Sequence, residues 1–223
     1  MWRDAALVAA KDLRIEARSR VGLSQIVPFG VVALGLFAFA LGPDRSLMMQ
    51  AAPGLFWVAV LFATVLATQR SVSVEASDGV RDGLRLSGLD PAGLFMGKAA
   101  ALCAQLLIVE LVLGVGVVFL FGARVHLVWL LALSCLLAAV GLAATGTLYG
   151  ALSAGLRVKE TLLPFLLLPI VAPVLLAGTR MWEAAAVGGV PSSGTDWLRL
   201  LLVFDAVYLA LGVVIFGPIQ ESA

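Results

Sequence analysis

Six stretches of the sequence are apolar over roughly 18 to 23 consecutive residues, and this feature constrains the fold more than any other. A helix needs about 20 mostly apolar residues to cross the hydrocarbon core of a bilayer, and it satisfies its own backbone hydrogen bonds there. We therefore predict six transmembrane helices. The stretches are residues 21–41, 51–68, 99–121, 127–149, 162–179 and 197–216.

Composition favours the same conclusion. Hydrophobic residues make up 61% of the 223 residues and charged residues 13%, whereas soluble domains are about 45–50% apolar and about 25% charged. The first stretch is longer than the core of a secretory signal and is followed by further spans, so we expect it to be retained. The predicted fold class is an all-α integral membrane protein. The net charge of +1 gives no field that would attract nucleic acid.

The placement of Lys and Arg predicts the orientation. These residues concentrate before the first span and in the connections after the second and fourth spans, whereas the other connections carry few. The positive-inside rule then places both the N-terminus and the C-terminus in the cytoplasm.

The first 20 residues are predicted to form an amphipathic helix on the cytoplasmic leaflet, outside a permease domain of residues 21–218. Small or apolar residues recur there at steps of three and four, with Lys and Arg on other faces. A merely basic tail that sets topology is the alternative. The apolar positions are Trp2, Ala6, Ala9, Leu13 and Ala17.

Two connections are long. Residues 69–98 are polar, and a short apolar stripe predicts a small helix at 78–86. Residues 180–196, on the opposite side, are rich in Gly and Ser and are expected to dip back as short half-helices.

The search for catalytic residues is negative. The chain has one histidine, His126, and its two cysteines lie inside apolar stretches, so no catalytic or metal site is predicted. The sequence assigns no haem-binding residue; His126 and Met181, near the outer side, are side chains of a type that can ligate haem iron, and an interfacial role for His126 is the alternative. The segment from Gly93 to Lys98 superficially resembles a P-loop, but its spacing is short by one and Ala99 replaces Ser or Thr. The chain is therefore predicted not to be an enzyme, and any ATP would be hydrolysed by a partner.

Five intramembrane residues have two interpretations each. Glu110 and Asp205 fall near the centres of spans three and six, where acidic side chains usually face a wet cavity or another helix. They form either a polar site on a substrate path or a structural helix contact. Pro164, Pro169 and Pro173 predict a broken or bent fifth span, which is either a moving gate or an ordinary proline-containing membrane helix. The pair Gly146 and Gly150 permits close helix contact.

The layout resembles the permease of an ABC-2-type (type V) exporter, and the local sequence resembles the CcmB family, haem exporter protein B of cytochrome c maturation. The segment 52–59 (APGLFWVA) is similar to the family's signature at the start of span two. The loop order Glu75, Asp78-Gly79, Pro91 and Lys98, and the segment 168–175 (LPIVAPVL), also fit. The chain departs from the family where Gln69, not an acidic residue, precedes Arg70.

The resemblance implies a membrane subunit of the bacterial inner membrane that couples a partner ATPase to haem delivery or to release of a haem chaperone. It implies a CcmA-like ATPase, a second copy of this chain, CcmC-like and CcmD-like membrane proteins, a CcmE-like haem chaperone and surrounding lipid as partners. It also implies that no cofactor is bound directly, with haem as substrate and ATP acting through the partner. Two alternatives stay open: a scaffold that transports nothing, and an ABC-2 permease for another substrate such as lipid. The residues implied to contact the ATPase are Glu75, Asp78, Gly79, Arg81, Asp82, Leu84 and Arg85.

Overall fold

A computed structural model describes residues 1–19, 21–75, 88–123, 125–154, 159–187 and 192–222. Within these residues the chain forms seven α-helices, as an all-α protein should. Their bounds are α1 Trp2–Ser19, α2 Val21–Leu41, α3 Arg45–Glu75, α4 Pro91–Phe121, α5 Val128–Ala154, α6 Lys159–Val187 and α7 Ser192–Ser222.

Helices α2 to α7 are each long and apolar enough to cross a membrane, which confirms the six predicted spans. They are longer than the apolar stretches that predicted them. Helix α3 continues to Glu75 and α4 begins at Pro91, so the connection between them is shorter than the predicted loop 69–98. Polar residues can extend a helix beyond the bilayer because each added residue gains a backbone hydrogen bond without needing an apolar environment. The small helix predicted at 78–86 lies outside the described residues.

The expectation of half-helices between residues 180 and 196 is wrong. Helix α6 continues from the membrane span through Arg180 to Val187, and α7 already begins at Ser192. In this last part of α6, Arg180 and Glu183 form an exposed ion pair one turn apart at 2.9 Å.

The bundle is built around α3 and α5. These two helices bury the largest share of their spans, whereas α2 and α7 are the most exposed. Helix α4 packs against α1, α2, α3, α5 and α7. Phe56 of α3 meets Trp182 of α6 in the core, with ring centroids 4.6 Å apart, and Trp57 packs against Phe56 with centroids 5.1 Å apart.

Small residues set the helix spacing at several contacts. A Cβ atom at Gly146 of α5 would lie 2.7 Å from Oγ1 of Thr68, and one at Gly150 would lie 3.0 Å from Val72. The predicted close contact at this pair is therefore confirmed, and α3 is the helix that it meets.

The prolines of α6 do not break it. Helix α6 is continuous from residue 159 to residue 187 through Pro164, Pro169 and Pro173, so the fifth span is not broken, and the alternative of a bent span stays a prediction. Pro169 and Pro173 lie on the exposed side of the helix. The backbone hydrogen bonds that they remove are therefore lost on the face turned away from the core.

Candidate functional site

Helix α1 rests directly on the first turns of α4. Gly93 and Gly97 are four residues apart and form one face of α4. A Cβ atom at Gly93 would lie 2.7 Å from the carbonyl oxygen of Met1, and one at Gly97 would lie 2.6 Å from that of Ala5. The two glycines that superficially resembled a P-loop are thus a contact between two helix backbones.

Two ion pairs connect α1 to the membrane helices. Glu16 lies 3.5 Å from the guanidinium of Arg70 on α3, and Asp12 lies 3.7 Å from Nζ of Lys98 on α4. Lys98 is buried, with 7% of its side chain exposed, and Glu16 is buried as well. Charges removed from water to this extent need a partner, so losing one member of either pair would cost more than breaking a surface pair.

The Met1 amine adds a third link at the same place. It lies 3.4 Å from both Asp4 and Asp90, and Asp90 is the residue that caps the N-terminus of α4. Desolvation lowers the pKa of this amine, but hydrogen bonds and charges from the two carboxylates outweigh it, so the pKa stands above its usual value. Helix α1 therefore contacts α3 near its end and α4 at its start, on both sides of the connection between them.

A cavity of about 340 Å³ lies between α1, α3 and α4. Charged side chains of both signs line it, including Asp12, Glu16, Arg70 and Lys98. Lys11 also lines the cavity and pairs with Asp12 at 3.0 Å, so the lining has three basic and two acidic side chains, a formal excess of one positive charge.

The outward faces of α1 fit the predicted interfacial helix. Trp2 and Leu13 of the apolar stripe are exposed, as are Arg3, Arg14 and Arg18 on another face. The three acidic residues Asp4, Asp12 and Glu16 instead turn toward the bundle. The helix is confirmed, and its contact with lipid headgroups stays a prediction.

Most of the predicted ATPase-coupling residues lie outside the described residues. Of the set, only the backbone of Glu75 is described, as the last residue of α3. The remaining members are Asp78, Gly79, Arg81, Asp82, Leu84 and Arg85.

Glu110 and Asp205 are both buried in the middle of the bundle. They are 3% and 5% exposed, and among the described residues neither carboxyl has a hydrogen-bond partner. Asp205 packs against α5 at Gly141, where a Cβ atom would lie 2.5 Å from Oδ1. A charged side chain at the bilayer centre costs about 2.5–3.5 kcal/mol on insertion scales, so both acids remain candidates for a polar site.

Glu110 lies at the floor of an intramembrane groove of about 550 Å³. Helices α4 and α5 form its walls, and Phe56 and Trp182 reach it from α3 and α6. Exposed apolar residues form its rim, among them Leu111, Val115 and Val128, so it opens on the outer side of the bundle. We name this feature the Glu110 groove. It extends from the middle of the bundle to the end opposite α1.

The two candidate haem ligands already make contacts within the protein. Nδ1 of His126 lies 2.6 Å from the carbonyl oxygen of Ala186, which joins the start of α5 to the end of α6. Met181 is completely buried, in a cluster with Leu130 and Ala185. Within the described residues, no group of three His, Cys, Asp or Glu residues could hold a metal ion.

The sequence did not identify Asp12, Glu16, Arg70 and Lys98 as a set. These charges are separated by up to 86 residues, and their pairing requires knowing which helices are neighbours. The available signal was the position of the acidic residues of α1 between its apolar and basic faces, since such residues would not face an anionic membrane.

Six apolar spans, a charged helix bound at one end and an intramembrane groove define a multi-pass membrane protein of the permease class. The family model described as CcmB protein matches residues 3–218. The chain therefore belongs to the CcmB family, and it is a component of a transporter found in bacterial membranes.

Curated relatives agree over nearly the full length. Heme exporter protein B of Pseudomonas aeruginosa is 29% identical over 212 residues, which cover 95% of this chain and 93% of the relative. The Paracoccus denitrificans protein of the same name is 30% identical over 218 residues, covering 96% and 94%. The Haemophilus influenzae protein of that name is 28% identical over 203 residues and covers 91% of each chain.

Proposed function

We propose that this chain is the membrane subunit of an ABC transporter complex that delivers haem for the biogenesis of c-type cytochromes. The family relationship over residues 3–218 is the observation that carries the proposal. The chain itself is not the enzyme. A CcmA-like partner hydrolyses ATP, and this subunit passes the resulting motion to haem transfer or to release of the haem chaperone.

The ion pairs that join α1 to both α3 and α4 support a role of this subunit in coupling the ATPase to haem delivery. Helix α1 is bonded to Arg70 on α3 and to Lys98 on α4, and these residues flank the connection at 76–90. A push on this connection would therefore move the ends of α3 and α4 together with α1. Independent movement of one of these helices would separate buried charges.

The orientation belongs to the same proposal. We propose that α1 and the connection 76–90 face the cytoplasm of a bacterium, with the protein in the inner membrane, and the excess of Lys and Arg on this side supports that orientation. ATP is available on that side. The Glu110 groove then opens toward the periplasmic half of the bilayer, where a CcmE-like chaperone would receive haem.

The partners follow from the family. We propose a core of two copies of this chain and two CcmA-like ATPase subunits, with CcmC-like and CcmD-like membrane proteins alongside. No cofactor is needed within this subunit, because haem is the substrate and ATP is bound by the partner. The exposed α2 and α7 are available as contact surfaces for these membrane partners.

Charge reversal in the connection tests the coupling. The double variant Asp78→Lys/Asp82→Lys should lower the yield of c-type cytochromes severalfold, because repulsion would weaken docking of the ATPase. The variant Glu183→Lys/Asp196→Lys is the matched control, since it makes the same charge change at exposed sites at the opposite end of the bundle. An unchanged yield in the first variant, with normal protein level, would refute the coupling assignment.

The scaffold is the second candidate function. It predicts a subunit that contacts other proteins and encloses no cargo. The Glu110 groove favours contact with cargo, because it reaches a buried carboxyl in the middle of the bundle. A permease for another substrate such as lipid would use the same groove, but the family relationship favours haem.

A further inference from the structure

The Glu110 groove contains a polar group that lacks a partner. Glu110 is 3% exposed, and among the described residues neither of its carboxyl oxygens has a hydrogen-bond partner. It lies at the centre of the apolar stretch 99–121, within the membrane-spanning part of α4. Buried polar groups are nearly always hydrogen-bonded. A carboxyl in this position therefore calls for a partner beyond the described residues.

The surroundings define what that partner must look like. Apart from Glu110, the groove is lined almost entirely by apolar and aromatic side chains, with Cys135 among them. Its volume of about 550 Å³ falls in the range of ordinary small-molecule sites, about 300–1,000 Å³. Its rim consists of residues that are exposed on the outer side of the bundle, so a molecule dissolved in the bilayer can enter sideways.

We propose that the Glu110 groove is a binding site for a bilayer-soluble amphiphile whose apolar body packs on Phe56 and Trp182 and whose polar group hydrogen-bonds to Glu110. Haem and a membrane lipid share this chemistry, since each combines a large apolar part with oxygen-containing polar groups. The assignment of haem as occupant rests on the proposed function. The site itself rests on the groove and on Glu110.

The shape of the groove favours a small molecule over a helix of a partner protein. The cavity reaches inward to Phe56 and Trp182, which are 0% and 1% exposed. A helix with its side chains is about 10–12 Å across and would cover the rim without filling this depth. A helix seated on the rim would leave the carboxyl of Glu110 unsatisfied unless it placed one long polar side chain at that depth.

Direct binding to the full chain in nanodiscs tests the proposal. One probe is haem, followed by quenching of tryptophan fluorescence. The other is a diazirine-labelled phosphatidylethanolamine, followed by mapping of the cross-linked peptide. We expect saturable binding of at least one probe, with lipid cross-links at residues 107–119 or 125–135.

Two variants block the site in different ways. Val115→Trp fills the groove and should abolish saturable binding, whereas Val112→Trp, an exposed valine on the same helix that does not line the groove, should leave it unchanged. Glu110→Leu should weaken binding about tenfold, as loss of a hydrogen bond to a buried carboxyl would. Glu110→Gln retains a hydrogen-bonding group and should bind more tightly than Glu110→Leu.

Several results would overturn the site. These are the absence of saturable binding of both probes, wild-type affinity in Val115→Trp, or cross-links outside the groove. Cross-linking of position 115 to a membrane helix of a partner would show that the groove is a protein contact instead. Saturable binding of lipid but not of haem would support the site and contradict haem as its occupant, which separates this proposal from the proposed function.

Discussion

At the scale of single residues, Gly93 and Gly97 carry much of the architecture at the α1 end. Glycine has no side chain, and these two residues matter for packing because any side chain there would displace atoms of α1. At Gly97 the obstacles are the Ala5 carbonyl and Val8, both on α1. A backbone carbonyl cannot move aside as the end of a flexible side chain can, so any larger residue must push α1 away from α4.

The variant Gly97→Val should therefore destabilise the contact of α1, by about 1–3 kcal/mol if it behaves like other overpacked sites. Thermal unfolding in detergent and the rate of tryptic cleavage at Arg14 and Arg18 would measure this. Gly35→Val is the matched control, because Gly35 also lies in a helix but has no atom within 4 Å of its missing Cβ. Equal behaviour of the two variants would contradict the packing role of Gly97.

The sequence predicted some of these residues and missed others for clear physical reasons. Glu110 and Asp205 could be selected because an acidic residue inside an apolar stretch is easily recognised in the sequence alone. The pairs Asp12–Lys98 and Glu16–Arg70 could not, because charged residues at the ends of spans are common and their partners depend on helix packing. Gly93 and Gly97 were noticed for a different reason, as a failed nucleotide motif.

At the scale of elements, the sequence predicted that the six membrane helices exist, but it did not predict where each begins and ends. Apolar length identifies a span, but helix propagation past the bilayer depends on backbone hydrogen bonds and capping. Helix α4 begins at Pro91 because Asp90 caps it and the proline needs no N–H there, whereas both residues fell inside the predicted loop 69–98. Continuation of α6 to Val187 was missed because residues 180–196 were treated as one Gly- and Ser-rich connection, although its Gly and Ser residues all follow Val187.

The gate role of α6 stays a prediction and can be tested at this scale. The double variant Pro169→Ala/Pro173→Ala would restore two backbone donors on the exposed face and stiffen the helix. If α6 bends during the cycle, the yield of c-type cytochromes should fall although assembly and thermal stability are retained.

The control for α6 is Pro28→Ala, which changes an exposed proline inside the membrane helix α2. It should leave the yield unchanged. A full yield in the α6 double variant would show that its prolines are ordinary constituents of a membrane helix and that the moving part lies elsewhere.

At the scale of the whole molecule, one end of the bundle carries α1 with its ion pairs to α3 and α4, and the Glu110 groove lies in the opposite half. Helix α4 joins the two regions: Gly97 and Lys98 at its start hold α1, and Glu110 near its middle lies in the groove. A rigid helix transmits displacement along its axis. Motion imposed at the connection 76–90 would therefore reach the groove through α4.

The central claim is that this subunit works with an ATPase in haem delivery, and affinity purification from native membranes tests it most directly. We expect the tagged chain to co-isolate with a P-loop ATPase and a haem-handling membrane protein, and Asp78→Lys/Asp82→Lys to lose the ATPase selectively. Isolation of the wild-type chain without either partner, under conditions that preserve other membrane complexes, would contradict the claim.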